Sequence, residues 1–349
     1  MNRLPPSVGL LTLPHLRVQN ANAASSPLTH GFPSMTAFIG LMWVLERRLA
    51  ERRHTLGAAI GFDSVAVVCH DHQEQTVGDR YARAFRLTRN PVDKDGDTAA
   101  IVEEGRIHLD ITLIFGVSGD FIDLDESQRQ TLADAVADTV ATLRVAGGSV
   151  LAPRAPRWRT RPQLEIQPQD AEAAARMFRR VRGRWLPGFT LVCRDDLLKQ
   201  RHDELRRSDP DATGLDALLD LSRINWRADL TRSASPEPAN PNRAENNAPM
   251  PESSAGKIEW RHDRTQGWIV PIPVGYGALT EVQPAGSVRN ARDPRTPFRF
   301  VESLYSIGQW IGPHHLTDVS QMLWYPDSDP EQGLYRCRNE FVRTYTPFL

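Results

Sequence analysis

The sequence predicts an α+β fold in which strands and helices alternate over residues 1–153. Residues 106–117, RIHLDITLIFGV, alternate apolar and polar side chains as a half-buried strand does. Apolar residues between Phe38 and Leu49 recur at positions i, i+3, i+4 and i+7, which is typical of an amphipathic helix. The third observation is the order of the elements, which is β-α-β-(hairpin)-β-α-β.

Each element of this core has a local signal. Ser34 is a candidate N-cap of the first helix, and Gly147-Gly148 ends the second helix before the short strand SVLA. The order is that of the split βαβ, or ferredoxin-like (RRM-like), arrangement, whose sheet often serves RNA-binding domains as a platform. The predicted elements are a strand at 9–19, a helix after Ser34, strands at 64–70, 82–90 and 106–117, a helix at 125–146 and a strand at 149–152.

A long insertion separates the second and third strands of the core, from about Asp71 to Gly105. Its middle, NPVDKDGD, contains Asn-Pro and Asp-Gly turn signals. We therefore expect an inserted β-hairpin, a thumb at about 71–105, with Arg86 and Arg89 on one face of the ribbon.

The rest of the chain divides into three parts. Residues 154–230 are predicted to form a helical part with an Arg-rich helix at 170–185. Residues 231–257 are poor in apolar side chains and rich in Pro, Asn, Ser and Ala, so burial could not offset the entropy lost on ordering, and we expect a flexible loop. Residues 258–349 are predicted to form an elaborated α/β part packed on the core, with a helix near 298–311.

Charge and composition exclude several classes of protein. The formal net charge is -1 and the pI is near 6.8, so no bulk field attracts nucleic acid or a membrane, and a polyanion must bind a local patch. No stretch approaches the roughly 20 apolar residues of a membrane span. The three cysteines are too far apart for a disulfide framework or a metal quartet. We expect a soluble cytoplasmic protein without a metal or cofactor.

Arginine dominates the basic residues, since only three of the 42 are lysines. Its planar guanidinium binds phosphate through two parallel hydrogen bonds and stacks on bases, so the bias suits RNA contact, although a GC-rich genome would produce it as well. Two clusters stand out, and an ion-paired or solvated surface is the alternative for each. They are Arg176, Arg179, Arg180 and Arg184 of the Arg-rich helix, and Arg289, Asn290, Arg292 and Arg299 of VRNARDPRTPFRF.

Common catalytic signatures are absent from the sequence, including GxxxxGK[ST], HExxH, GxSxG and paired CxxC. Metal-independent cleavage of RNA would need a histidine or tyrosine as general base, for which His30, Tyr81 and His108 are candidates. Because a lone histidine is more often structural, we expect no enzymatic activity. A metal-independent endoribonuclease and a purely protein-binding scaffold are the alternatives.

The loop after the first strand offers uncharged hydrogen-bonding groups rather than charge. Such groups bind base edges and sugar hydroxyls, and the loop precedes a helix N-terminus, where backbone N–H groups favour phosphate. Ordinary turns are also rich in Asn and Ser, and this is the alternative. The candidate RNA-binding residues of the loop are Gln19, Asn20, Asn22, Ser25, Ser26, Thr29 and His30.

Three blocks of sequence resemble a known family. They are LRVQNANAASSPLTHGFPSMTAFIGLMWVLERRL, FRLTRNPVDKDGDTAAIVEEGRIHLDITLIFGV and GWIVPIPVGYGALTEVQPAGSVRNARDPRTPFRFVESLYSIGQW, with support from GLYRCRNEF. The chain is similar to the second subunits of Csy complexes, the Cas-five-type caps of the type I-F CRISPR surveillance complex (Cascade). The similarity covers nearly the full length apart from residues 231–257.

The resemblance implies a non-catalytic subunit of an antiviral ribonucleoprotein. Such a subunit has a ferredoxin-like core and a hairpin thumb, pairs with the large subunit, contacts the adjacent backbone subunit and holds the 5′ handle of the guide RNA (crRNA). Base pairing by the guide reads the target DNA, as in other RNA-guided effectors. We expect the loop at 17–30 and Gly147, Gly148 and Ser149 to approach the handle, the thumb arginines to bend it, and the 289–299 cluster to clamp phosphates. The helix arginines would face target DNA, RNA or a partner protein.

Overall fold

The fold is described from a computed structural model of the protein. Within the described residues, no helix is both long enough and apolar enough to cross a membrane. The structure describes residues 3–52, 56, 58–79, 82–89, 92, 96–98, 101–223, 226–231, 257–262, 267–291 and 293–344.

Strands and helices alternate along most of the chain, as the sequence predicts. The strands are β1 (Gly9–Asn22), β2 (Ala24–Ser26), β3 (Thr29–His30), β4 (Ile60–Glu74), β5 (Thr76–Gly78), β6 (Arg83–Phe85), β7 (Leu87–Arg89), β8 (Ile101–Glu103), β9 (Arg106–Gly119), β10 (Arg144–Val145), β11 (Gly148–Leu151), β12 (Gln163–Ile166), β13 (Phe189–Cys193), β14 (Trp226–Thr231), β15 (Lys257–His262), β16 (Trp268–Ala278), β17 (Val301–Ile311), β18 (Trp324–Asp329) and β19 (Leu334–Asn339). The α-helices are α1 (Met35–Ala50), α2 (Glu126–Ala141), α3 (Arg157–Thr160), α4 (Ala171–Val181), α5 (Asp195–Ser208), α6 (Gly214–Leu221) and α7 (Phe341–Thr344).

Four strands form one half of a large sheet in the order β11-β1-β9-β4, and each neighbouring pair is antiparallel. Leu13 of β1 lies opposite Leu113 of β9, which lies opposite Val67 of β4. Helix α1 connects β1 towards β4 and helix α2 follows β9, and Leu45 and Val136 from these helices are buried against the same face. Period-2 strands and period-3.6 helices therefore share one apolar layer.

Side-chain caps explain where the two core helices begin. The Ser34 hydroxyl accepts a hydrogen bond from the Thr36 N–H, as an N-cap does. Asp125 and Gln128 form a capping box at the start of α2. The predicted N-cap of α1 is confirmed, whereas the predicted end of the second helix at Gly147-Gly148 is wrong, because α2 ends at Ala141 and strand β10 precedes the two glycines.

The second half of the sheet continues from β4. Pairings run from β4 through β13, β17, β16, β19 and β18 and return to β4, where Trp324 lies opposite Val65. Trp324 is fully buried, and its indole N–H donates a 2.8 Å hydrogen bond to the Leu191 carbonyl. A closed circuit of pairings leaves few free strand edges in this part of the molecule.

The predicted helix near 298–311 is wrong, because residues Val301–Ile311 form strand β17. This strand pairs with β13 on one side and β16 on the other. Ser306, Ile307 and Gly308 are buried in succession. A continuous buried run has no period of 2, so its pattern does not distinguish a central strand from a helix.

The opposite face of the four-stranded half is only partly covered. Phe178 and Trp185 pack on Val68 and Ile114, together with Met322 from the C-terminal part. Further along the same strands, towards the insertion, this face carries polar residues. We therefore find a sheet with one apolar face, a second face that is apolar at one end and polar at the other, and helices on both.

The insertion between β4 and β9 contains short antiparallel ladders. Strand β5 pairs with β6, and β7 pairs with β8. The predicted flexible loop at 231–257 begins and ends at paired strands, since Thr231 of β14 lies opposite Lys257 of β15. Residues 232–256 lie outside the described residues, and the division into domains stays a prediction.

Candidate nucleic-acid interface

The end of β1 meets the turn between β10 and β11, and we call this region, residues 19–22 and 146–149, the polar edge. Gln19 lies opposite Ser149 in the pairing of β1 with β11. The Asn22 N–H donates a 2.8 Å hydrogen bond to the Ala146 carbonyl. Segments more than a hundred positions apart in sequence thus form one continuous surface.

Irregular backbone shapes the polar edge. The register of β1 against β9 shifts between Val18 and Ala21, and Asn20 within this bulge has a left-handed φ of 57°. The Asn20 N–H donates a 3.1 Å hydrogen bond to Nδ1 of His108 on β9. A bulge redirects side chains at a strand end, and asparagine tolerates the left-handed conformation better than most residues.

Exposed amide and hydroxyl groups are concentrated at the polar edge. The side chains of Gln19, Asn20 and Ser149 are exposed and make no hydrogen bond to another described residue. The Asn22 amide donates to the Ala24 carbonyl at 2.9 Å and keeps its oxygen as an acceptor. Such groups, which lack a partner among the described residues or keep a free acceptor, are suited to hydrogen bonds with the edges of unstacked bases.

Two glycines allow the β10–β11 turn to approach β1. Gly147 has a left-handed φ of 81° and open space around it, whereas a Cβ on Gly148 would lie 2.7 Å from the Ala21 nitrogen. The predicted Gly147, Gly148 and Ser149 are therefore brought beside the predicted Gln19, Asn20 and Asn22.

The three hydroxyls of Ser25, Ser26 and Thr29 serve the loop itself. The Thr29 hydroxyl lies 2.8 Å from that of Ser25 and 2.6 Å from that of Ser26, and Thr29 is only 7% exposed. The Ser26 hydroxyl also accepts from the Thr29 N–H. These hydroxyls are therefore used to shape the β2–β3 turn, in contrast to the exposed amides of Gln19 and Asn20 at the polar edge.

His30 lines a cavity of about 660 Å³ between the start of α1, the end of β4 and strand β16. Its Nδ1 is 2.9 Å from a Glu74 carboxylate oxygen, and its ring packs edge-on against Phe85 of the insertion. The cavity is also lined by Trp268 and Trp310, whose rings lie 6.0 Å apart. Aromatic walls beside polar groups are typical of base-binding pockets.

Sequence reasoning missed a second, aromatic groove of about 710 Å³ on the other side of the loop, bordered by Asn22 and Gly147. The Trp43 ring on α1 lies 6.0 Å from the Tyr335 ring, which stacks on Tyr276 at 6.3 Å. Trp43 is 46% exposed. The signal in the sequence was this tryptophan outside the buried apolar stripe of an amphipathic helix.

Some of the residues predicted to contact RNA from the thumb and the C-terminal part are exposed, and others lie outside the described residues. Arg86 is exposed between β6 and β7, and the side chain of Arg89 lies outside the described residues. Arg289 and Asn290 are exposed in the loop between β16 and β17. Arg292 lies outside the described residues.

Arg299 has a visible structural role in this loop. Its guanidinium donates to the carbonyls of Thr280 at 2.8 Å and Pro330 at 3.2 Å, and lies 3.5 Å from Glu281. Pro273 is the last residue of β16 that lines the His30 cavity, and it lies five residues, or about 17 Å, before the end of the strand where the loop begins. The structure therefore does not bring the 289–299 cluster to that cavity.

Arg180 of α4 and Arg184 of the 3-10 turn after it (Arg182–Trp185) face strand β12 instead of the polar edge. Arg180 and Arg184 both lie within 3.5 Å of Glu165, and Arg176 pairs with Glu172 at 3.3 Å. Arg179 is exposed on the same helix. These arginines form a surface separate from the residues predicted to bind RNA.

The two candidate general bases, His30 and His108, each have a hydrogen-bond partner within the chain. His30 is paired with Glu74, and Nδ1 of His108 is occupied by a backbone N–H. Tyr81 lies outside the described residues.

Burial raises the pKa of the Cys193 thiol to about 12, so this thiol is protonated at neutral pH. Among the described residues, no group of three or more potential metal ligands is close enough to hold an ion.

Comparison with known proteins identifies the family. The family model described as CRISPR-associated protein (Cas_Csy2) matches residues 11–337. The chain belongs to the Csy2 family. The CRISPR-associated protein Csy2 of Pseudomonas aeruginosa (strain UCBPP-PA14) is 44% identical over 338 residues, which cover 94% of each chain. The match to the Csy2 family includes the polar edge, both cavities and the 289–299 cluster, and it confirms the family that the three sequence blocks predicted.

Proposed function

We propose that the protein is a non-catalytic subunit of a type I-F CRISPR surveillance complex in the cytoplasm, where it binds the 5′ handle of the guide RNA. In this proposal it pairs with the large subunit and contacts the adjacent backbone subunit, and the complex recognises target DNA in antiviral defence. The polar edge supports the proposal most directly, because it collects exposed hydrogen-bonding groups from two distant segments of a Csy2-family chain, and Gln19 and Ser149 have no side-chain partner among the described residues.

The topology supports a ferredoxin-like, RRM-like core. A sheet order of β11-β1-β9-β4, with helices after β1 and β9 on one face, has the connectivity expected of a split βαβ unit. We propose that the insertion between β4 and β9 acts as the thumb. Its exposed Arg86 would then meet an RNA strand that leaves the polar edge near His30.

The chemistry of the site favours single-stranded RNA. On a nearly neutral chain, recognition must rest on local hydrogen bonds and stacking as well as on phosphate contacts. The amides of Gln19, Asn20 and Asn22 would bind base edges, and the rings beside them, including Trp43 and Tyr335, offer stacking surfaces. Base stacking of this kind contributes about 1–3 kcal/mol per base.

A binding experiment tests the proposal. The full chain, purified with its large subunit, is titrated with labelled 5′-handle RNA and with a scrambled RNA of equal length. We expect Gln19→Ala/Ser149→Ala to weaken handle binding about 5- to 150-fold, since two hydrogen bonds of about 0.5–1.5 kcal/mol each are lost. The salt dependence of binding should not change, because no charge is removed.

A matched double variant provides the control. Gln200→Ala/Ser208→Ala removes the same side chains from the exposed helix α5 and should bind like the unaltered protein. Equal affinity of the unaltered protein for handle and scrambled RNA would refute handle recognition. A discrete cleavage product from precursor RNA, lost in His30→Ala or His108→Ala, would instead support the endoribonuclease alternative.

A further inference from the structure

Four arginines from four separate segments of the chain converge on a cleft of about 370 Å³ between α2, β12 and the end of α4. We call it the arginine cleft. Arg129 comes from α2, Arg161 from the segment before β12, and Arg180 and Arg184 from α4 and the 3-10 turn after it. The sequence showed only a basic helix, whereas tertiary packing adds two arginines from elsewhere to it.

Positive charge in the arginine cleft exceeds its internal compensation. One Glu165 carboxylate oxygen serves both Arg180 at 3.4 Å and Arg184 at 3.5 Å, and Glu126 pairs with Arg129 at 3.0 Å. The Arg161 guanidinium has no hydrogen-bond or ion-pair partner among the described residues. Four guanidinium groups therefore face two carboxylates, which leaves a net positive site.

The exposed atoms of the arginine cleft are suited to phosphate. Arg180 and Arg184 are 66% and 48% exposed, so their remaining N–H groups are open to solvent. Gln130 and Gln163 add polar groups to the wall, and the apolar Leu164 is buried beneath them. Protein interfaces have apolar, aromatic centres, whereas forked guanidinium donors bind phosphate oxygens in pairs.

The arginine cleft lies apart from the polar edge. Strand β12 pairs with Gly9–Thr12 of β1, whereas the polar edge begins seven residues later at Gln19, about 20 Å along the strand. We propose that the arginine cleft binds the phosphodiester backbone of nucleic acid without regard to sequence. It is a second nucleic-acid contact, separate from the one proposed for the guide RNA.

Salt-dependent binding tests this proposal on the full-length chain. Fluorescence anisotropy is measured with labelled duplex DNA of about 30 base pairs, and with one of its single strands, between about 50 and 200 mM salt. Arg180→Ala/Arg184→Ala should weaken duplex binding at least about tenfold and lower the slope of log K against log salt by about 2. The charge-matched Arg206→Ala/Arg207→Ala on α5 should keep the duplex affinity and the salt slope of the unaltered protein.

A substitution that strengthens binding separates charge from structure. Glu165→Gln removes the shared carboxylate and frees two guanidinium groups, so it should tighten duplex binding several-fold, and inorganic pyrophosphate should compete. The proposal would be overturned if the two double arginine variants bound duplex DNA equally well, or if Glu165→Gln bound it more weakly than the unaltered protein. Gln19→Ala/Ser149→Ala should leave duplex binding unchanged, so failure here is distinguishable from failure of handle recognition.

Discussion

Replacing Gly148 with alanine should destabilise the protein where β11 approaches β1. The new Cβ would lie 2.7 Å from the Ala21 nitrogen, 2.7 Å from Val18 Cγ1 and 2.8 Å from the Gln19 carbonyl oxygen. Two of these atoms belong to the backbone of β1, so no side-chain rotation relieves the contact. The two strands must separate at the polar edge.

The magnitude follows from the cost of overpacking, which is about 1–3 kcal/mol. Because backbone has to move, we expect a loss of about 2–3 kcal/mol in the free energy of unfolding and a decrease in Tm of about 3–5 °C. Separation of the strands also moves Gln19 away from Ser149. We therefore expect handle-RNA affinity to decrease about tenfold, or by about 1.4 kcal/mol.

Urea unfolding followed by tryptophan fluorescence measures the stability change, and RNA titration measures the binding change. Gly147→Ala is the matched control, because Gly147 has open space around it and alanine there meets only the left-handed backbone cost of about 1–2 kcal/mol. If Gly148→Ala were as stable as the unaltered protein, the steric reasoning would be refuted.

Three further predictions concern stability and binding. Burial lowers the pKa of His70 below its ordinary value of 6.5, so the unfolded chain binds the proton more readily, and the free energy of unfolding should fall as pH decreases below 6.5. A pH series of urea melts should show a smaller decrease in His70→Gln, and a pH profile equal to that of the unaltered protein would contradict this. Trp324→Phe should lose at least about 1–3 kcal/mol in the same melts, because a buried carbonyl loses its donor; a loss below about 0.5 kcal/mol would show that the hydrogen bond is unimportant. Arg299→Ala should lower Tm, because the Arg299 guanidinium donates a hydrogen bond to the Thr280 carbonyl that stabilises a loop. Arg289→Ala should leave Tm unchanged and weaken RNA binding. Equal effects of the two substitutions on Tm would argue against a structural role for Arg299.

Sequence periodicity predicted the strands and helices that have one exposed face. Strand β9 alternates over residues 106–110, where only one face is buried, and α1 has an apolar stripe, whereas residues 111–117 of β9 are buried in succession. Strand β17 was mistaken for a helix, since it is hydrogen-bonded on both sides and buries successive residues. Periodicity disappears where both faces are covered.

The candidate site was predicted only in part for a similar reason. Gln19, Asn20 and Asn22 were recognised as polar groups in one loop, and their neighbour Ser149 as part of a glycine turn. Residue types alone did not show that the Thr29 hydroxyl is taken up within the loop. Which polar groups are used internally depends on geometry that composition does not contain.

The sequence by itself determined the family, the main strands and helices of the first half, and the residue types available for binding RNA. These follow from local patterns and from long blocks of similarity. Only the tertiary structure decided that β11 lies against β1, that β18 returns to β4, and that Arg129 and Arg161 join Arg180 and Arg184 in one cleft. Such contacts join residues far apart along the chain, and they depend on packing that is satisfied only when the whole sheet is assembled.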